Sequence, residues 1–264
     1  MPEESMEQKL ERIERLARVA SEFDADSLEE LLLKIKDNDS DVRSLAAARL
    51  RNLEDTRAIP GLIELLNDQS PRVRAMAAIG LGHYKAVEAR DLLIGRAKAD
   101  EVGDVRAMCV NSLSDIGGAD EVIIQALDDP DWHVKTSAAV VLGRNGTSGA
   151  AEKIDKLLDD TNWSVRYFAS MALMDLSAVS PRVIDALESL RDIPEALDTL
   201  KWFAESDIYF KILEKYPDDI DALEEDVEDA LNILRQKHGS KEVPIPPKDP
   251  LEKLIAQASI MVGK

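Results

Sequence analysis

Residues 67–82 read NDQSPRVRAMAAIGLG and residues 128–143 read DDPDWHVKTSAAVVLG. Laid over one another, the two stretches share an acid, a valine followed by a base, a pair of small residues and a leucine. The same phrase occurs three more times along the chain. Its valine is Val42, Val73, Val105, Val134 or Val165, at spacings of 31, 32, 29 and 31 residues. Self-similarity at a period of this length marks a repeat array, in which one unit is too small to bury a core alone and stacks on its neighbours.

Counting from the valine gives each position a physical task. Offsets 0, +4, +8 and +11 share one face of a helix. Offset +8 is Leu50, Leu81, Leu113, Leu142 or Leu173, and offsets +4 and +5 hold small residues such as Ala77 and Ala78, which let another helix approach closely. A second apolar pattern precedes it, with Leu31, Leu62, Ile94, Ile123 and Ile154 at offset −11. Between the two lie Asp39, Ser70, Asp131 and Asn162 at offset −3 (Val102 interrupts the series), residue types whose side chains accept from the free N–H groups of a first helical turn. Pro71 follows at the favoured first helical position. Each repeat therefore reads as helix, tight turn, helix, and the expected fold is an all-α, right-handed solenoid of stacked helical hairpins.

An acid at offset −5 travels with a base at offset +1: Asp37 with Arg43, Asp68 with Arg74, Asp100 with Arg106, Asp129 with Lys135, Asp160 with Arg166. Their joint recurrence predicts a row of contacts crossing from one repeat to the next along the turns. If solvated, each pair contributes only ~0–1 kcal/mol, so the row is expected to set register more than to supply stability. An anion site on the arginines is the competing reading, disfavoured because every base brings an acid with it.

These phrases resemble the HEAT-like repeats of the short type found in phycobilisome lyases. The resemblance covers residues 27 to about 180 and fades beyond. It implies a scaffold or binding platform, and allows a second role as an accessory subunit or chaperone for a cofactor-bearing client. Di-iron hydroxylases are also built on such units, but no His-Glu pairs recur here at matching positions. Histidines stand singly at 83, 133 and 238. No Cys-x-x-Cys or His-x-x-x-His spacing offers a metal site, and no Gly-rich phosphate loop follows a strand. The sequence thus points to no catalytic residues, no metal and no cofactor.

The 264 residues carry a net charge of −19, with 52 acids against 33 bases. Such a surface repels phosphate backbones and argues against nucleic acid, while favouring a basic partner. The single cysteine, Cys109, excludes an intrachain disulfide and sits at a small-residue position as a buried thiol. No apolar run approaches the ~20 residues of a membrane span, and the acidic N-terminus lacks a signal-like core. A cytoplasmic location is expected.

Five segments follow: a capping helix in 1–26, the repeats in 27–205 with a degenerate last unit, acidic helices in 206–238, a Pro-containing linker in 239–249, and a docking helix in 250–264. Helices are expected at 193–204, 206–215 and 219–236. The last segment opens on Asp249 and Glu252 in capping-box spacing and carries an apolar stripe of Leu251, Leu254, Ile255, Ala258 and Val262. Thirteen or so residues do not hold a helix alone in water. It therefore docks, either as a cap on the last repeats or as a tethered segment occupying a groove.

If the offset-0 face points inward, offsets +2, +6 and +9 point away from the core. They are nearly free of charge in a chain that is 32% charged. A contiguous apolar strip of this kind marks a contact site. The candidate partner-binding residues are Ile79, Thr136, Val140, Tyr167, Met171, Met174 and Trp202, together with Trp132 and Trp163 at offset −2 of adjacent repeats. The expected ligand is a protein or peptide segment.

Overall fold

The structure is a computed structural model that describes residue 15 and residues 27–215, 227–239, 241 and 249–263. The capping helix expected near the N-terminus and most of the Pro-containing linker lie outside the described residues. Helical hairpins follow one another: α1 (Leu28–Lys34) with α2 (Ser40–Asn52), α3 (Ile59–Leu65) with α4 (Pro71–His83), α5 (Arg90–Ala99) with α6 (Gly103–Ile116), α7 (Asp120–Gln125) with α8 (Trp132–Arg144), α9 (Ala151–Lys156) with α10 (Trp163–Asp175), and α11 (Pro181–Glu188) with α12 (Pro194–Lys215). Helices α13 (Val227–His238) and α14 (Pro250–Val262) complete the series, and no strand occurs among the described residues.

The chain divides into two compact units between Ala150 and Ala151. In the N-terminal unit the second helices of the hairpins, α2, α4, α6 and α8, pack side by side in series, each also packed against its own first helix. The small pairs make this possible: Ala46, Ala47, Ala77, Ala78, Cys109, Val110, Ala138 and Ala139 are fully enclosed. Between α4 and α6 the approach is so close that a Cβ on Gly82 would lie 2.9 Å from the Ser112 Cα, while the Ser112 hydroxyl donates to the Ala78 carbonyl at 2.7 Å. Leu31, Leu62, Ile123 and the offset +8 leucines fill the space between first and second helices and are buried to 1% or less.

The helix ends repeat as faithfully as the core. Asp39, Asp131 and Asn162 cap α2, α8 and α10 by accepting from the N–H two residues on. Ser70 stands at the same position but its side chain makes no capping bond; Pro71 behind it removes one of the donors that need a partner. At the other end, the residue at offset +12 has positive φ in each of the first five repeats: Glu54, Lys85, Gly117, Gly146 and Ser177, with φ of 54°, 50°, 79°, 68° and 54°. After α4, α8 and α10 the following N–H returns to the offset +8 carbonyl (Ala86 to Leu81 at 3.0 Å, Thr147 to Leu142 at 3.0 Å, Ala178 to Leu173 at 2.9 Å), which turns the chain sharply into the next hairpin.

In the C-terminal unit α9 packs on α10, α10 on α11, and α14 on both α11 and α12. The expected helix break at residue 205 is absent. α12 runs unbroken for 22 residues from Pro194, and Pro194 precedes Ala196 as Pro71 precedes Val73, so the sixth repeat keeps its register. Ala196 and Leu200 take the core positions. α14 starts at its expected cap, the Asp249 carboxylate accepting from the Glu252 N–H at 2.9 Å. Leu251, Ile255 and Ala258 are buried, and Glu252 pairs with Arg191.

Candidate functional site

The turns joining first to second helices carry an ordered set of ion pairs. The Nε and Nη2 of Arg43 donate to Asp68 at 2.7 and 2.8 Å, those of Arg74 to Asp100 at 2.8 and 2.7 Å, and those of Arg106 to Asp129 at 2.8 and 2.7 Å. Each contact runs from one repeat to the next. The remaining Nη1 of each arginine returns to a carbonyl of its own turn, at Asp37, Asp68 and Asp100 respectively. Each aspartate also accepts from the N–H two residues on, including Asp37 and Asp160. Lys135 is half-buried on α8. Arg166 donates to the Asp160 carbonyl at 2.8 Å and to the Ser189 hydroxyl at 3.1 Å, where earlier repeats have a carboxylate.

The sequence reading treated these pairs as solvated. The middle one is not, since the side chains of Arg74 and Asp100 are 5% and 0% exposed. Burial pushes the Asp100 carboxyl up, but the bonds from Arg74 and the Val102 N–H, with the charges of Arg74 and Arg96, hold it below the usual carboxylate range. Asp68 is depressed in the same way against the same opposing burial. The bidentate hydrogen bond to the aspartate raises Arg43, Arg74 and Arg106. With every guanidinium engaged by a carboxylate and a carbonyl, these three arginines bind the turns together and are not presented to a ligand.

The face expected to be open is narrower than the sequence suggested. Offset +2 is not surface: Ser44, Ala75, Ala107, Thr136 and Tyr167 are all buried to 9% or less, and the Thr136 hydroxyl donates to the His133 carbonyl. At offset +9 Gly82 and Gly143 are buried and Met174 is half-buried. α4 and α6 are flanked on both sides by neighbouring second helices, and that contact encloses Ala75, Ala107 and Gly82. Offset +6 stays accessible. Ile79 and Met171 are half-buried, Val140 is 38% exposed and Trp202 53%. Offset +3, which the sequence reading missed, adds half-buried Met76, Met108 and Phe168. The signal was available: +3, +6 and +10 lie in the sector left over once both flanks are excluded.

Each compact unit carries a cleft lined by at least one of the sequence-predicted candidates. In the C-terminal unit a cleft of about 450 Å³ brings together Tyr167 and Met171 of α10, Leu200 and Phe203 of α12, and Lys253 and Leu254 of α14. The rings of Tyr167 and Phe203 stack at 6.3 Å, and Trp202 lies 5.6 Å from Phe203. Burial raises the Tyr167 hydroxyl above its ordinary range. Helix α14 thus both covers the last hairpin and forms one wall of the cleft. In the N-terminal unit a cleft of about 670 Å³ lies at the starts of α4, α6 and α8 and includes Trp132. Trp163 is half-buried on α10. Trp132 and Trp163 belong to different compact units.

Burial pushes the Cys109 thiol up to about 12, so it is an inert core group. Among the described residues no cluster of three or more His, Cys, Asp or Glu side chains is placed to hold a metal ion, and no helix is long and apolar enough to cross a membrane.

Stacked hairpins with cross-linked turns and an accessible face on the second helices define an α-solenoid of the armadillo and HEAT class. The chain belongs to the HEAT-repeat family, whose model matches residues 25–114 and 121–207. No curated protein matches it. Among solved structures it is similar to a chain of the CpcE–CpcF complex of phycocyanin lyase from Nostoc sp. PCC7120, with a TM-score of 0.54 and 19% identity over 91% of this chain and 97% of that one. It is also similar to YibA of Escherichia coli, with a TM-score of 0.51 and 18% identity over 100% and 99%. At these identities the likeness is one of fold.

Proposed function

We propose that this protein is a non-enzymatic, cytoplasmic scaffold whose second helices bind a segment of a protein partner. HEAT-repeat folds generally serve protein interaction, which supports the class of function. The observation that carries the reading for this chain is the exposure of Val140 and Trp202 at offset +6. Large apolar side chains left in water on helices that otherwise expose Asn52, His83, Asp115, Arg144 and Asp175 are the surface feature most often covered by a partner. Tyr167 and Phe203 extend this character into the C-terminal cleft.

Val140→Asp and Trp202→Ala test the reading. Both sites are exposed, so each change costs within about 0.5 kcal/mol of stability. Affinity capture from the native host, with the bound proteins identified, should return one or more proteins with the wild type and lose them with the variants at unchanged melting temperature. Capture of the same proteins by both variants would remove this face from the account. A pigment or metal-bearing species that co-purifies would instead favour the second role implied by the lyase resemblance, an accessory subunit for a cofactor-bearing client.

A further inference from the structure

The cleft at the starts of α4, α6 and α8 has a composition unlike that of the accessible offset +3 and +6 positions. Trp132 lines it, still 39% exposed, with its ring against His133 at a centroid distance of 3.6 Å. Val102 adds apolar surface, and Glu101, Asp104 and Asp131 bring carboxylates; among the described residues no lysine or arginine lines the cleft. Of the neighbouring basic groups, Arg72 beside Pro71 lies 3.6 Å from Asp41, and the His133 Nδ1 stands 3.4 Å from Asp131 and 3.6 Å from Asp104. Arg74 comes within 3.7 Å of Glu101, but it is already in bidentate contact with Asp100, and that pair is neutral together. Three helix starts supply about half a positive charge each, less than three carboxylates remove.

Gly103 shows why the Asp131 carboxylate stands where it does. In the next two repeats the same position is Trp132 and Trp163. Here any Cβ would collide with the Asp131 carboxylate, so the glycine opens the space that group occupies. One Asp131 oxygen accepts from the His133 N–H at 2.9 Å. The side chains of Glu101 and Asp104 are 80% and 72% exposed, with Asp104 3.6 Å from the His133 Nδ1, and both stand in solvent where a bound cation can reach them.

We infer that this cleft receives an arginine side chain from a basic segment of the protein partner. The inference rests on the partner-segment reading and adds the chemistry of what is bound. A guanidinium is flat enough to lie on the exposed indole and carries a fork of donors for the carboxylates around it. A lysine ammonium meets the charge but not the stacking. The chain's net charge of −19 draws the same class of partner from a distance.

The test uses the full chain and the synthetic peptide acetyl-Gly-Ser-Arg-Gly-Arg-Gly-Ser-amide, titrated by calorimetry at low salt, with its citrulline and lysine analogues beside it. The arginine peptide should bind saturably, and citrulline should weaken binding by about tenfold or more, since it keeps the shape and loses the charge. Lysine should fall between. Trp132→Ala should cause a similar loss, as should Glu101→Gln with Asp104→Asn; the last two positions are mostly exposed, so the doubly substituted chain keeps its fold and its melting temperature. No saturable binding, equal binding of the citrulline peptide, or binding indifferent to these substitutions would overturn the proposal. Val140→Asp separates the two readings. If it abolishes partner capture while the arginine peptide fails to bind, the arginine site falls and the scaffold reading stands.

Discussion

Residue 85 illustrates how a local conflict was accommodated. Lys85 holds φ at 50° in the position where two other repeats place Gly117 and Gly146. A side chain in the left-handed region costs roughly 1–2 kcal/mol, part of which glycine gives back through a freer unfolded chain. Lys85→Gly is therefore expected to raise stability by about 0.5 kcal/mol in chemical denaturation; a fall would mean that the Lys85 side chain makes a contribution its geometry does not show. The buried ion pair gives a larger effect of opposite sign. Asp100→Asn leaves Arg74 buried without its counter-charge and should cost about 3–5 kcal/mol, whereas Arg74→Met with Asp100→Leu should recover most of that loss. The double-substitution cycle reads the coupling directly.

The same carboxylates fix the response to acid. Asp68 and Asp100 titrate below their unfolded value, so their stabilisation is complete above about pH 4 and disappears as pH falls through the lower folded values. Melting temperature followed from pH 7 downward should hold until near that point and then drop. Asp100→Asn should blunt the drop, and an unchanged acid limb would assign it to other carboxylates.

At the scale of the element, α14 is the informative case. Its cap and apolar stripe were legible because both are local features, spaced by one helix turn. Whether it would cover the last hairpin or occupy a groove was not legible, since that depends on what α11 and α12 leave open. The structure packs it on the last hairpin, with Leu251, Ile255 and Ala258 buried, while Lys253 and Leu254 form a wall of the cleft rather than filling it. Ile255→Ala should cost about 2–4 kcal/mol, and hydrogen exchange should report the loosening in α11, α12 and α14 with little change in α1–α6. Protection lost evenly along the chain would mean that the helix supports more than its own hairpin. The reach of α12 past residue 205 was missed for a similar reason: the repeat phrase predicts a helix of one repeat's length and carries no information on a helix that outgrows it.

The row at offset +2 shows a limit of another kind. On a single helix it lies about 200° from the core valine, on the side a helical wheel calls outward. In a stack an inner second helix such as α4 or α6 has two flanking helices as well as its own partner, and Ala75 and Ala107 are buried there. The repeat period, the hairpins and the acid–base spacing were readable because they are written once per repeat. The width of the open face is set by the stack as a whole. At that scale charge matters too. A net charge of −19 destabilises the folded chain by self-repulsion that salt screens over about 10 Å at 0.1 M, while the enclosed Arg74–Asp100 contact is shielded from the same ions. Melting temperature should therefore rise between low and moderate sodium chloride at pH 7. A steady fall would assign more of the stability to exposed pairs such as Arg57–Asp55.

The hand-off from Arg43 to Asp68, Arg74 to Asp100 and Arg106 to Asp129 has a consequence for how such a molecule can change length. Each junction presents the same plug and the same socket, so an extra copy of residues 56–86 spliced in after the original would meet familiar surfaces at both seams. Arg166 ends the series on a serine. A module added beyond that point would find no socket waiting, and lengthening is open to this architecture in its middle but not at its far end.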